Sequence, residues 1–260
     1  MGRRALVPLV LVAVLLPHPA RAVEAPRPLR TLTFDCTVSV ADRRETPGDS
    51  RSSHVVMMGR TSTGIVETTP TGSGETTSST AQDVKGSISV AVLSATDDAG
   101  LIVEVAENAD QRTQPKVKIA LGPDGTLFYD PANGGNLTEE EVALVRWLAR
   151  GFYGDHPREP GTAWTVDQST NGHVDVEHYR VLSRDHDRVT LNYALEEKAG
   201  GATGYDASRE GSLVYDTALV VPVKATFMSS ARRQIGATLS TTRSTITLTL
   251  TADSFSSLRS

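Results

Sequence analysis

The stretch REGSLVYDTALVVPVKATF, Arg209 to Phe227, decides how the chain folds. Leu219, Val221, Val223, Ala225 and Phe227 recur at every second position, with Lys224 and Thr226 between them. That period places apolar side chains on one side of an extended strand and polar ones on the other. Asp216 and Thr217 mark a turn, so the stretch reads as two antiparallel strands. Pro222 has no N–H to give to a ladder, which predicts a sheet edge or a bulge at that point.

The same pattern extends in both directions. In TLTFDCTVSV, Leu32, Phe34, Cys36, Val38 and Val40 alternate with threonine, aspartate and serine, the mark of a half-buried strand. Cys36 falls on its buried face and reads as a core residue. SISVAVL and LIVEVAE flank Asp97-Asp98-Ala99-Gly100, a hairpin signal. KVKIAL and TLFYD flank GPDG, where Gly125 can take a positive φ. HVVMM and GIVETT read as short strands, and Thr69 to Thr80 as a polar, mobile loop. After residue 160, TAWTVDQ and HVDVEHYRVL join through Asn171-Gly172, a strong hairpin signal. RVTLNYALEE and STITLTLTADSF continue the series, with AGGATGYDAS as a glycine-rich loop.

One helix interrupts the strands. LTEEEVALVRWLARGF opens with Thr138 as N-cap and Glu141 three residues later, a capping box. Glu139, Glu140 and Glu141 suit the positive end of the helix dipole. Val142, Val145, Leu148 or Ala149, and Phe152 define an apolar side, and Gly151 a stop. The prediction is a mainly β (α+β) chain: a curved, largely antiparallel sheet or half-barrel with one amphipathic helix, 138–151, packed on it. A β-sandwich or closed barrel is the alternative. Two meanders, 30–130 and 161–255, make a single domain over residues 30–260. Threonines on the second face of many strands predict a wet outer surface.

The first residues, MGRRALVPLVLVAVLLPHPARA, combine a basic head, a short apolar run and Ala20-Arg21-Ala22. This predicts a signal peptide over 1–22, followed by a flexible lead-in over 23–29 and export to the periplasm or beyond. Its removal leaves 23 lysines and arginines against 31 acids, a net charge of −8. An acidic chain without a basic stripe is a poor fit to nucleic acid. No later run predicts a membrane span. With one cysteine, no internal disulfide forms.

Chemical motifs are sparse. His173 and His178 are five apart on one strand and face opposite ways. Asp185-His186-Asp187 is a short acidic turn, and His156 lies in a connector. No metal-binding motif or cofactor signature occurs, and none is expected to be bound. Ser73 in TGSGE lacks the strand-to-helix context of a nucleophile elbow. Glu139 to Glu141 read as helix-start electrostatics, and Glu196 and Glu197 point apart. No catalytic residue is assigned, so the chain reads as non-enzymatic. The aromatic residues pack the helix on the sheet, or else Trp147, Trp164, Tyr179 and Phe227 line a cavity with the helix as lid.

The motifs PDG, LTEEE, PGTAW, EGSLVYD, VVP and ADSF resemble those of uncharacterised secreted bacterial proteins, over residues 30 to 255. In outline the layout is also similar to the periplasmic lipoprotein-carrier (LolA-like) half-barrel, which has several helices where this chain has one. That resemblance implies a carrier of lipid or acyl chains in the cell envelope, with an apolar ligand between helix and sheet. The other expectations are a structural module that binds an envelope protein, through a strand edge near Pro222 or the Thr69–Thr80 loop, and a hydrolase built around His178 and Asp185 to Asp187.

Overall fold

In this computed structural model, residues 27–46, 67–70, 76–96, 100–110, 112–113, 115–122, 125–128, 137–149, 159–169, 173–199 and 205–255 are described. The signal segment 1–22, the strand read at 54–58, Ser73, the Asn171-Gly172 turn and His156 lie outside them.

Among the described residues the chain forms one antiparallel sheet, curved and unclosed, with a single helix. β1 (Arg30–Thr46) is central. On one side of it stand β3 (Thr76–Thr96), β4 (Gly100–Ala109), β6 (Val117–Leu121) and β7 (Leu127–Phe128). On the other side stands β13 (Thr238–Asp253), then β12 (Val221–Ile235), β11 (Tyr205–Asp216), β10 (Arg188–Ala199), β9 (His173–Asp185) and β8 (Ala163–Asp167). β2 (Glu67–Pro70) pairs with β3, and β5 (Arg112–Thr113) with β4. Along this path the chain runs as a meander, with β2 and β5 as short side strands off it, except where β1 meets β13. There the second meander returns to pair with the first, from Leu32↔Asp253 to Glu45↔Leu239.

The alternation read in the sequence sets the two faces. Leu32, Phe34, Cys36 and Val38 of β1 are buried, opposite Ile246 and Leu248 of β13. Ile88, Val90, Val103, Val105, Ile119 and Leu121 continue this inner face through the first meander. Leu191, Tyr193, Leu213, Tyr215, Ala225 and Phe227 continue it through the second. Thr33, Thr37, Thr245, Thr247 and Thr249 occupy the outer face.

One reading is corrected and one is decided between its two alternatives. Thr76 to Thr80, read as part of a mobile loop, opens the 21-residue strand β3, held by β1 on one side and β2 on the other. Polar side chains throughout suit a strand lacking a greasy face at that end. Pro222 is not at an edge, because β12 lies between β11 and β13. It sits at a bulge, where Val214 pairs Lys224 but Tyr215 pairs Pro222, leaving Val223 unpaired. The bulge answers the missing N–H. It also shifts the alternation, so that Val221 and Pro222 are both buried.

α1 (Glu139–Arg146) starts with the predicted capping box. The Glu141 N–H donates to Thr138 Oγ1 at 3.4 Å, and the Thr138 N–H to Glu141 Oε2 at 2.8 Å. Turns carry the segment on to Ala149. It is buried on more than its expected apolar side: Glu140, Glu141, Ala143, Leu144, Val145, Trp147, Leu148 and Ala149 are all buried. A helix lying in the trough of a curved sheet meets it on several sides.

Gly211 shows how closely the sheet packs beneath this helix. A Cβ there would collide with the Thr226 carbonyl oxygen and stand 2.6 Å from Phe227 Cβ. Gly211 faces inward opposite Phe227 and leaves room for that ring. Gly211→Ala is expected to destabilise the fold by about 1–3 kcal/mol, the range for overpacking. Urea unfolding of the two chains checks this, and equal midpoints would refute it.

Candidate functional site

The inner face carries an aromatic cluster under α1. The ring of Trp147 stands edge-on to Tyr193 (5.5 Å, 87°) and to Phe227 (6.0 Å, 89°). Tyr179 lies 5.3 Å from Tyr193 and stacks on Trp164 at 5.2 Å and 20°. Such edge-on and stacked arrangements are favoured by the ring quadrupoles. Five elements deliver these side chains, the helix and β8, β9, β10 and β12. Trp147 ends the helix, Trp164 and Tyr179 face each other across β8 and β9, and Tyr193 sits opposite Tyr179 on β10.

The four residues singled out from the sequence therefore come together: Trp147, Tyr179 and Phe227 are buried, and Trp164 is half-buried. Tyr193, left out of that set, is the ring that links them. Its inward position follows from period two on β10, but its place opposite Tyr179 depends on strand register. The cluster is filled by its own rings. Neither cavity among the best-formed ones found between described residues is lined by any of these side chains.

Polar groups tie the helix to this cluster. The Trp147 indole N–H donates to Tyr179 Oη at 3.2 Å, and the Tyr179 hydroxyl donates to Glu177 Oε2 at 2.8 Å. The Tyr215 hydroxyl donates to the Trp147 carbonyl at 3.2 Å. Arg146 grips Asp175 with two N–H groups (2.6 and 3.2 Å) and reaches Glu177 at 3.1 Å. At the other end of α1, Arg209 of β11 holds Glu139. Arg146 and Arg209 thus clamp the two ends of the helix to the second meander. Asp175 and Glu177 share a side of β9 because they are two residues apart.

Electrostatics follow from this burial. Burial pushes the Tyr179 hydroxyl pKa well up, and the Glu177 carboxylate adds to it. Burial and then Glu177 raise that of Tyr193 too, against Arg209. Burial opposes the Arg146 charge, but Asp175 and Glu177 outweigh it and hold its pKa above the ordinary value. Arg209 is raised in the same way by Glu139, Tyr193 and Glu197. Glu141 is raised above 4.5 by burial and by the charges of Glu107 and Glu140, against the hydrogen bonds from Thr138.

The histidines take other places. His178 is exposed on the outer face, 3.1 Å from Thr165 Oγ1. His173 lies on the inward side, 3.7 Å from Glu197. His186 and Asp185 form an exposed pair at a hairpin tip, 2.7 Å apart. Among the described residues, no group of three His, Cys, Asp or Glu side chains is placed to hold a metal ion. Cys36 is buried in the core, as its place on β1 predicts. No described helix is long and apolar enough to cross a membrane.

Comparison with protein families and with curated proteins finds no match for this chain.

Glu141 gives the site a measurable pH signature. Its folded pKa is raised, so the folded state holds its proton more tightly than the unfolded state does. Stability from this group is highest below the unfolded value near 4.5 and falls as pH rises through the raised folded value. Glu141→Gln keeps a capping side chain and removes the charge. The variant should gain on the wild type as pH rises, by about 2–4 °C in Tm for each kcal/mol of relief. Thermal melts from about pH 4 to about pH 8 check this, and parallel profiles would refute it.

Proposed function

We propose that the protein is a non-enzymatic binding protein of the bacterial cell envelope, exported to the periplasm or beyond. Its ligand is an apolar or amphipathic chain, a lipid or another apolar small molecule, taken up on the aromatic inner face between α1 and the sheet. The observation that carries this reading is the way α1 is attached. Among the described residues, its bonds to the strands run through side chains, with Arg146, Trp147 and Glu139 as the contacts. No backbone ladder joins it to the sheet. Lifting the helix would open Trp147, Tyr179, Tyr193 and Phe227 to a ligand while every strand stayed paired. The rings would then form an apolar floor of the kind that small-molecule sites use. The outline likeness to the lipoprotein-carrier half-barrel and the signal-peptide pattern of residues 1–22 support the same reading.

A second reading has its own observation. The filled cluster suits a permanent plug, with the sheet serving as a scaffold that presents a surface to an envelope protein.

The test uses the mature chain purified without detergent from its own host. Native mass spectrometry should show extra mass that is lost on denaturation and identified as lipid. Both tryptophans of the chain sit in the cluster, so palmitate should also shift the tryptophan emission. The bare chain mass together with unmoved emission would sink the ligand reading and favour the plug.

A further inference from the structure

The outer face of the sheet is hollow where its inward residues turn polar, at Ser229 and Ser244. Two cavities of ≈ 670 and ≈ 730 Å³ open there and share Ala41, Ala81 and Arg243 as walls. Most of their lining side chains lie on the outward side of the strands. Ala41, Ala81 and Arg243 do so, because each is out of step with the buried residues of its own strand. The second cavity reaches from β3 to β10 across the four strands between them. A sheet can be walled in on its outer side only where its twist makes that side concave.

The walls are chemically uneven. Ala41, Ala81, Ala194 and Met228 give an apolar floor, and Met228 is 55% exposed. At one end the register gathers three arginines around Thr241. Arg43 of β1 and Arg232 of β12 each pair with Thr241, from opposite sides, and Arg243 is two residues along on the same face. Arg43 is held by Glu45 at 2.8 Å. Arg232 has Asp206 across from it on β11, without an ion pair. Arg243 pairs across with Ala41 and Ser230 and has no ion pair among the described residues. Like charges gathered on one sheet face are destabilising unless an anion relieves them. Asp83 of β3 and Glu210 of β11 line the cavity in the row of Thr245, one step along the strands from Arg243, and Glu196 of β10 lies in the row of Arg243, three strands away.

We propose that this outer groove binds a monomeric anionic amphiphile, an acyl or alkyl chain with a phosphate or carboxylate head. Arg243 takes the head, with Arg232 and Arg43 beside it, since a guanidinium matches both oxyanions in two-pronged fashion. The chain lies over Ala41, Ala81 and Met228. Asp83, Glu196 and Glu210 repel an anionic head from the rest of the groove and so hold it at the arginines. The cavity volumes fall in the range of small-molecule sites, about 300–1,000 Å³. This site is separate from the aromatic face under α1 and stands without it.

The test is calorimetric titration of the mature chain with dodecyl phosphate below its micelle concentration. Binding should fall at least tenfold in R243E, fall less in R243K, which keeps the charge but loses the two-pronged fit, and weaken in M228D. Inorganic phosphate and uncharged dodecyl maltoside should bind far more weakly. Tryptophan emission should not move, because Trp147 and Trp164 lie across the sheet. Binding that survives R243E and shifts tryptophan emission would overturn this site and place the amphiphile on the aromatic face, in favour of the proposed function. Binding only to phosphatidylglycerol vesicles would also overturn it, in favour of a membrane surface. No binding to any of these probes would overturn it as well.

Discussion

The pairing of β1 with β13 makes one sheet out of two meanders. Each meander is built from neighbours in sequence, and only this ladder joins residues more than 200 positions apart. Its lower end is fastened by Arg30. That side chain gives two hydrogen bonds to Asp253, at 2.7 and 3.0 Å, and one to the Leu219 carbonyl, and its guanidinium lies over the Phe255 ring. Burial would raise the Asp253 pKa, but Arg30 and the Phe255 N–H outweigh it and hold the carboxyl below its ordinary value. The ladder also runs through the core, joining Phe34, Cys36 and Val38 to Leu250, Leu248 and Ile246. A fold closed by so distant a pairing must form its local hairpins before the contact that unites them is rewarded, which makes for slow folding.

The sheet is wide and, among the described residues, has one helix to cover it, and this divides its inner face. Under α1 the inward residues are apolar and aromatic. Beyond Val38, Ile246 and Phe227 the inward positions turn to Ser244, Ser229, Asp42 and Thr242. The apolar part is about as much as α1 and the curvature of the sheet can keep from water. The ion pairs stand where these regions meet. Glu139 reaches Arg209 and approaches Ser244, while Arg146 meets Asp175 and Glu177. These charges place the helix more than they stabilise it, since a half-buried ion pair recovers little beyond its desolvation cost. Their geometry is directional where apolar packing is not.

Much of the fold was legible because period two survives in strands with one dry face. TLTFDCTVSV and the Arg209–Phe227 stretch show it plainly, and the capping box announced α1. Thr76 to Thr80 was not legible as strand, because serine and threonine there face water on both sides and leave no alternation. The bulge at Val223 was legible through Pro222, whereas its effect on Val221 was not. In the aromatic cluster, the candidate residues could be named from the sequence. Their assembly around Tyr193 could not, because register across β8, β9 and β10 decides it. The Arg146 clamp was hidden for the same reason: Asp175 and Glu177 look like ordinary alternating polar residues until they face a helix. The arginines around Thr241 come from three strands, and one of those neighbours exists only through the distant β1–β13 pairing.

Twist links the two faces. A sheet that coils enough to wrap α1 on one face turns its outer side concave where the inward residues become polar, so the trough and the outer groove have one geometric origin. Their chemistry is nevertheless independent. Alternate residues of a strand serve opposite faces, so Phe227 can pack against Trp147 while Met228 beside it stays open to solvent. The same holds on β13, where Ser244 is buried and Arg243 is exposed. A substitution on one face therefore leaves the other face's side chains in place, provided the strand stays paired. The long, fully paired strands that unite the meanders thus let one thin layer keep a closed aromatic interior and an open charged surface without trading one against the other.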